Sequence, residues 1–167
     1  MRKLMILCFT AALVVPALAT AGSRPSAADR AAAVRQCSTE RGAMGVDAFK
    51  LLYGTNLPTR SNAFGKCVSR LAQQNEQGRA NAAAQCRSER SADPTAFATK
   101  YGSFGKCVSA KAKAAAAARV HATINAAKDC WTERQADPAA FKDKYGTNAN
   151  KSNAFGKCVS GKVKHTP

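Results

Sequence analysis

Carboxylates, histidines and long apolar runs are scarce in this chain. Ten Asp and Glu stand against 26 Lys and Arg, a formal charge of +16 at pH 7. The only histidines are His121 and His165. No Cys-x-x-Cys and no close His pair occurs, which argues against a zinc centre and its closely spaced ligands. Ser69, Ser109 and Ser160 have no histidine at a matching position, so a serine nucleophile has no base. Past Leu18 no apolar run approaches the 18 or more residues of a spanning helix. These gaps leave no catalytic constellation and no cofactor signature, and the reading is of a protein that is not an enzyme.

The start of the chain is a separate object. Arg2 and Lys3 precede the apolar stretch Leu4–Leu18, and Ala17-Leu-Ala19 or Ala19-Thr-Ala21 offers a small-x-small cleavage site. That is the layout of a secretory signal peptide over residues 1–21. Pro16 interrupts the stretch, and Cys8 lies early in it, to be removed with it. The exported chain loses two cations from +16, leaving +14, and keeps an even set of six cysteines. In an exported chain such a set reads as disulfides.

What the chain has in abundance is itself, written three times. The first copy, 26–72, carries Cys37, Glu40-Arg41, Phe49, Tyr53-Gly54 and Phe64-Gly-Lys-Cys67-Val-Ser69. The second, 80–112, carries Cys86, Glu89-Arg90, Phe97, Tyr101-Gly102 and Phe104-Gly-Lys-Cys107-Val-Ser109. The third, 120–164, carries Cys130, Glu133-Arg134, Phe141, Tyr145-Gly146 and Phe155-Gly-Lys-Cys158-Val-Ser160. Repetition decides the architecture before any local reading does.

A helix is expected from Ser26 to about Arg41, capped by Ser26 with Asp29 in its first turn. Ala27, Ala31, Val34 and Cys37 would share its inner face. Each copy then holds a short helix with Phe and Tyr four apart, which stacks both rings on one side. Asp93-Pro94 and Asp137-Pro138 open it in copies two and three. Gly102 and Gly146 would close it in the left-handed conformation. A polar loop of variable length follows. The next helix begins near Phe-Gly-Lys-Cys, with Ser61 or Asn62, Ser103, and Ser152 or Asn153 as caps. It continues into the following copy through an Ala- and Lys-rich stretch, with Val120, Ile124, Ala127 and Trp131 as a late apolar stripe. Residues 73–79 are the weak point. Gly78 costs about 1 kcal/mol in a helix interior, so a frayed or kinked helix and a flexible linker are both open there.

The fold class is all-α: three disulfide-stapled helix–short helix–helix corners joined by long Ala-rich helices. Six cysteines allow 15 pairings, and the threefold pattern selects Cys37–Cys67, Cys86–Cys107 and Cys130–Cys158. Each bond closes a loop of roughly 20 to 30 residues and contributes about 3–4 kcal/mol in the chain-entropy model. Each corner is expected to have its own small aromatic core: Phe49, Tyr53 and Phe64; Phe97, Tyr101 and Phe104; Phe141, Tyr145 and Phe155. Glu40, Glu89 and Glu133 would face Lys66, Lys106 and Lys157 across the staples as structural pairs. Trp131 breaks the symmetry as a packing residue.

The string Tyr145-Gly-Thr-Asn-Ala-Asn-Lys-Ser-Asn-Ala-Phe-Gly-Lys-Cys-Val-Ser160, with its upstream Cys-x-x-Glu-Arg and Asp-Pro-x-x-Phe, resembles a repeat of uncharacterised secreted bacterial proteins. The resemblance spans nearly all of residues 37–160. It implies export and repetition, and no activity.

Charge carries the functional expectation. Lys111, Lys113, Arg119 and Lys128 on the long helix, with Lys151, Lys157, Lys162 and Lys164 near the end, are candidate contacts to a polyanion. The first reading is a secreted, non-enzymatic protein held on anionic envelope or extracellular polymers by charge. The alternatives are a structural or protein-interaction array at the cell surface and, third, a cationic membrane-active factor. Nucleic acid is disfavoured, because export separates the chain from the genome and the aromatics are committed to the corners.

Overall fold

The computed structural model describes residues 24–164. The expected signal peptide and His165 lie outside the described residues. Seven α-helices and no strand are found among them: α1 Ala27–Met44, α2 Val46–Tyr53, α3 Ala63–Ala92, α4 Pro94–Tyr101, α5 Phe104–Ala136, α6 Pro138–Tyr145 and α7 Ala154–Lys164.

Local chemistry explains the boundaries. Ser26 and Asp29 form a reciprocal capping box at the start of α1. The side chain of Asp93 accepts from the Ala96 amide, and that of Asp137 from the Ala139 and Ala140 amides. Both stand directly ahead of a proline at the first helical position, where the missing N–H costs nothing. Ser103 caps α5 through the Lys106 amide. Asn62 makes no such bond to α3; its side chain closes the loop before the helix instead.

Three disulfides link the helices: Cys37–Cys67, Cys86–Cys107 and Cys130–Cys158, each with Cα atoms 6.0–6.1 Å apart. They are the pairs expected from the repeat. Each joins one helix to the next but one and encloses a short helix between them. α3 runs unbroken through Gly78, so residues 73–79 are helix. At about 1.5 Å per residue its 30 residues span about 45 Å and the 33 of α5 about 50 Å.

These two helices form an antiparallel hairpin, stapled at its tip by Cys86–Cys107 and closed by α4. At the other end α1 packs on the first half of α3, and α7 on the second half of α5. This base contains one continuous core. Phe49, Tyr53, Leu71, Val120, Ile124, Phe141, Phe155 and Val159 belong to it, together with two of the disulfides. Corners one and three therefore share a core, and only the tip, with Cys86, Phe97 and Cys107 flanked by Tyr101 and Phe104, has its own. The expectation of three separate cores is corrected. The physical reason lies on the short helices. After the core phenylalanine and a lysine or alanine, α2 carries Leu51-Leu52, where α4 has Thr99-Lys100 and α6 has Asp143-Lys144. α2 can thus be covered, and α7 covers it.

α1 also differs from expectation. Ala33, Cys37, Glu40 and Met44 are its inner face, whereas Ala27, Ala31 and Val34 are exposed. The disulfide orients the helix, and a carboxylate rather than Val34 turns inward. Trp131 packs edge-on against Phe155 with ring centres 6.3 Å apart. Among the described residues no helix is long and apolar enough to cross a membrane.

Candidate functional site

The loops after α2 and α6 are built alike. Asn62 Oδ1 accepts from the Thr55 amide at 3.0 Å, and Asn62 Nδ2 donates to Thr55 Oγ1 at 2.8 Å. In the later loop Asn153 and Thr147 make the same two bonds at 3.1 and 2.8 Å. Asn56 donates to Ser61, and Asn148 to Ser152. The Gly-Thr-Asn…Ser-Asn string is thus a polar clasp that ties each loop to the next helix. Arg60 and Lys151, the residues before the serines, adopt φ of 53° and 51°. A Cβ on Gly54 would lie 2.4 Å from the Cβ of Arg60, and one on Gly146 2.5 Å from that of Lys151. Gly146 has φ −74°, so it serves close approach and not, as expected, a left-handed stop.

The two clasps meet. Arg60 donates to the carbonyl oxygens of Gly54 at 2.8 Å and Leu51 at 3.3 Å, and across to Ser152 of the other loop at 3.1 Å. Between the loops and α7 lies a groove of about 780 Å3. Arg60 from the loop, Arg70 from α3, and Lys157 and Lys164 from α7 line it, with Leu51, Leu52 and the exposed Leu57 as apolar wall. No carboxylate is among its lining residues. A cavity of about 160 Å3 continues inward from Tyr53 and Arg70 to Arg119. Burial, with Arg134 as a neighbouring like charge, pulls the Arg60 guanidinium below its ordinary value.

Beneath the groove sits Glu40, 0 % exposed. One oxygen accepts from the Tyr53 hydroxyl at 2.5 Å, and Oε1 has no hydrogen-bond partner. Burial pushes this carboxyl above the usual range. The Tyr53 hydrogen bond and the charges of Arg70 and Arg119 only partly oppose the shift. Burial and Glu40 together drive the Tyr53 phenol upward, so it stays protonated. The equivalent glutamates are placed differently. Tyr101 donates to Glu89 at 3.0 Å and Lys111 pairs with it at 2.7 Å. Tyr145 donates to Glu133, which Lys144 pairs at 2.6 Å. Where copy two has Lys111 and copy three Lys162, copy one has Leu71. The expected partners Lys66, Lys106 and Lys157 are exposed instead, because a residue directly before the staple cysteine points away from the corner.

The eight candidate polyanion contacts are divided. Lys157 and Lys164 line the groove. Lys113 and Lys128 are exposed on α5. Lys111 is engaged by Glu89, Lys151 by Asp143, and Lys162 acts electrostatically on Glu133. Arg119 is partly buried and donates to Asn75 at 3.5 Å. Arg60 and Arg70 were not singled out from the sequence. The available signal was that Arg60 stands where copy three has Lys151, while Arg70 replaces an alanine or glycine of the other copies.

Four cations and no carboxylate around one concavity make a focused positive field. The guanidinium of Arg70, lying 5.9 Å from the Tyr53 ring, offers the fork geometry that suits planar anions. Among the described residues no group of three or more His, Cys, Asp or Glu could hold a metal ion. Comparisons with family models, curated proteins and solved structures return no match.

Proposed function

We propose that this is an exported, non-enzymatic protein that binds anionic envelope or extracellular polymers by charge, with the groove between the two loop clasps as its principal contact. The observation that carries this reading is the groove lining: Arg60, Arg70, Lys157 and Lys164 with no acidic residue among them. Three disulfides fit an oxidising compartment. The charge of +14 left when the leader's two cations are removed from +16 adds a sequence-independent attraction that draws polymers toward the surface. Glu40 is fully buried and does not line the groove, so it takes no direct part in this contact.

Retention of the mature chain on an immobilised polyanion tests this. Exposed charges are screened within about 10 Å at 0.1 M salt, so binding falls steeply between low and moderate ionic strength. Retention indifferent to salt overturns the proposal.

A further inference from the structure

A second groove, on a different face, has the opposite character. α1 and α5 both run antiparallel to α3, and above α3 they leave a channel of about 490 Å3 between them. This lies within the roughly 300–1,000 Å3 range of small-molecule sites. Its walls are Ala32 on α1 and Ala112, Ala116 and Val120 on α5, and Gly78 of α3 lies on its floor. None of these apolar side chains is long enough to fill the space, and Gln36, Thr39, Asn75, Arg119 and His121 complete the lining. Gly78 matters here because a glycine within a 30-residue helix is unfavourable, and a Cβ there would meet only Arg119, at 3.5 Å. The floor is open without any backbone need for glycine.

The rim is cationic. Arg35 stands toward the base and Lys113 toward the tip, both exposed, and Arg79 borders the floor. Asp29 is the one carboxylate, and it is already engaged. It accepts from the amide and hydroxyl of Ser26 at 3.0 and 2.7 Å and from Arg79 at 3.3 Å. An apolar channel about ten helical residues long, or about 15 Å, with free cations at its rim matches an alkyl chain bearing an anionic head.

We propose that this channel binds a single-chain anionic amphiphile of the fatty-carboxylate class. The tail would lie along Ala32, Ala112, Ala116 and Val120, and the carboxylate would be held by Arg35 or Lys113. The channel shares no lining residue with the groove between the loop clasps.

The test is a fluorescence titration of the full mature chain with dansylaminoundecanoic acid below its micelle concentration, with dansylglycine as the tail-less control. The expected result is saturable binding at one site per chain for the long-chain probe and none for dansylglycine. Ala116→Trp, which fills the channel, abolishes binding, and Ala112→Phe is the second filling variant should the first fail to fold. The double reversal Arg35→Glu/Lys113→Glu weakens binding about tenfold or more. Arg70→Glu, in the other groove, leaves it unchanged. Equal binding of dansylglycine, a non-saturating signal, or undiminished binding by a folded channel-filling variant overturns the proposal. So does loss of binding on Arg70→Glu, which would place the probe in the polyanion groove.

Discussion

Arg60 and Ser152 lie 92 residues apart in sequence, and the guanidinium of one donates to the backbone carbonyl of the other at 3.1 Å. This contact joins the first loop clasp to the second and closes one end of the cationic groove. The same side chain also serves Leu51 and Gly54. Arg60→Ala strands three partly buried carbonyls and is expected to destabilise by about 2–3 kcal/mol in denaturant unfolding. Arg60→Lys recovers little, because an ammonium cannot span three carbonyls with the geometry of the fork. A neutral Arg60→Ala would contradict the clasp-to-clasp bridge.

Two glycines give opposite expectations. In Gly54→Ala the new methyl meets Arg60 Cβ at 2.4 Å and the Lys50 carbonyl at 2.7 Å. Crowding of that kind costs about 1–3 kcal/mol. Gly78→Ala meets only Arg119 at ordinary contact distance and gains helix propensity, so it stabilises by about 0.5–1 kcal/mol. Thermal melts of the two variants decide this, and stabilisation by Gly54→Ala would contradict the loop geometry.

Glu40 sets a pH dependence with a definite sign. Its folded carboxyl titrates above the ordinary value of about 4.5. The folded state therefore holds the proton more tightly than the unfolded state. The stability this contributes is complete below that pH and is lost as pH rises through the folded value. Asp29, Glu89 and Glu133 are shifted down and contribute in the opposite sense, gaining as pH rises. Subtracting the melting profile of Glu40→Gln from that of the parent isolates the first effect. The difference falls with rising pH from about 4.5 upward, and a rising difference would contradict the burial argument.

The tip and the base are expected to separate in stability. Cys86→Ser/Cys107→Ser removes a staple worth about 3 kcal/mol from a core of only Cys86, Phe97 and Cys107 with their flanking rings. Amides of α4 should then exchange rapidly while those of α1 and the second half of α5 keep their protection. A uniform loss of protection along the chain would show that the tip is no independent unit.

Much of this was legible in the chain. Ser26, Asp93 and Asp137 announce helix starts by their chemistry, and the threefold spacing of cysteines is enough to pair them. The merging of corners one and three was not read, because treating the copies as equal hides their differences. Leu51-Leu52 against Asp143-Lys144, and Leu71 against Lys111, are the marks of a covered corner. The groove was hidden for another reason. It arises where residues of the first loop meet residues of the last, and no local pattern encodes that meeting. The tyrosine–glutamate bonds join positions 12 or 13 apart and depend on how the short helix folds back over the staple.

Placement of the charge, rather than its total, is the central claim, and one paired measurement tests it. Arg70→Glu/Lys157→Glu/Lys164→Glu and Lys106→Glu/Lys113→Glu/Lys128→Glu change the net charge equally. The first set reverses three of the four groove cations, leaving Arg60 on its carbonyls, and the second strips exposed positions on α5. Affinity for polyphosphate, measured across a salt series, should fall about tenfold further for the groove set, and its salt slope should flatten by about one per residue removed. Equal losses in the two sets would contradict a groove and leave only a uniformly charged surface.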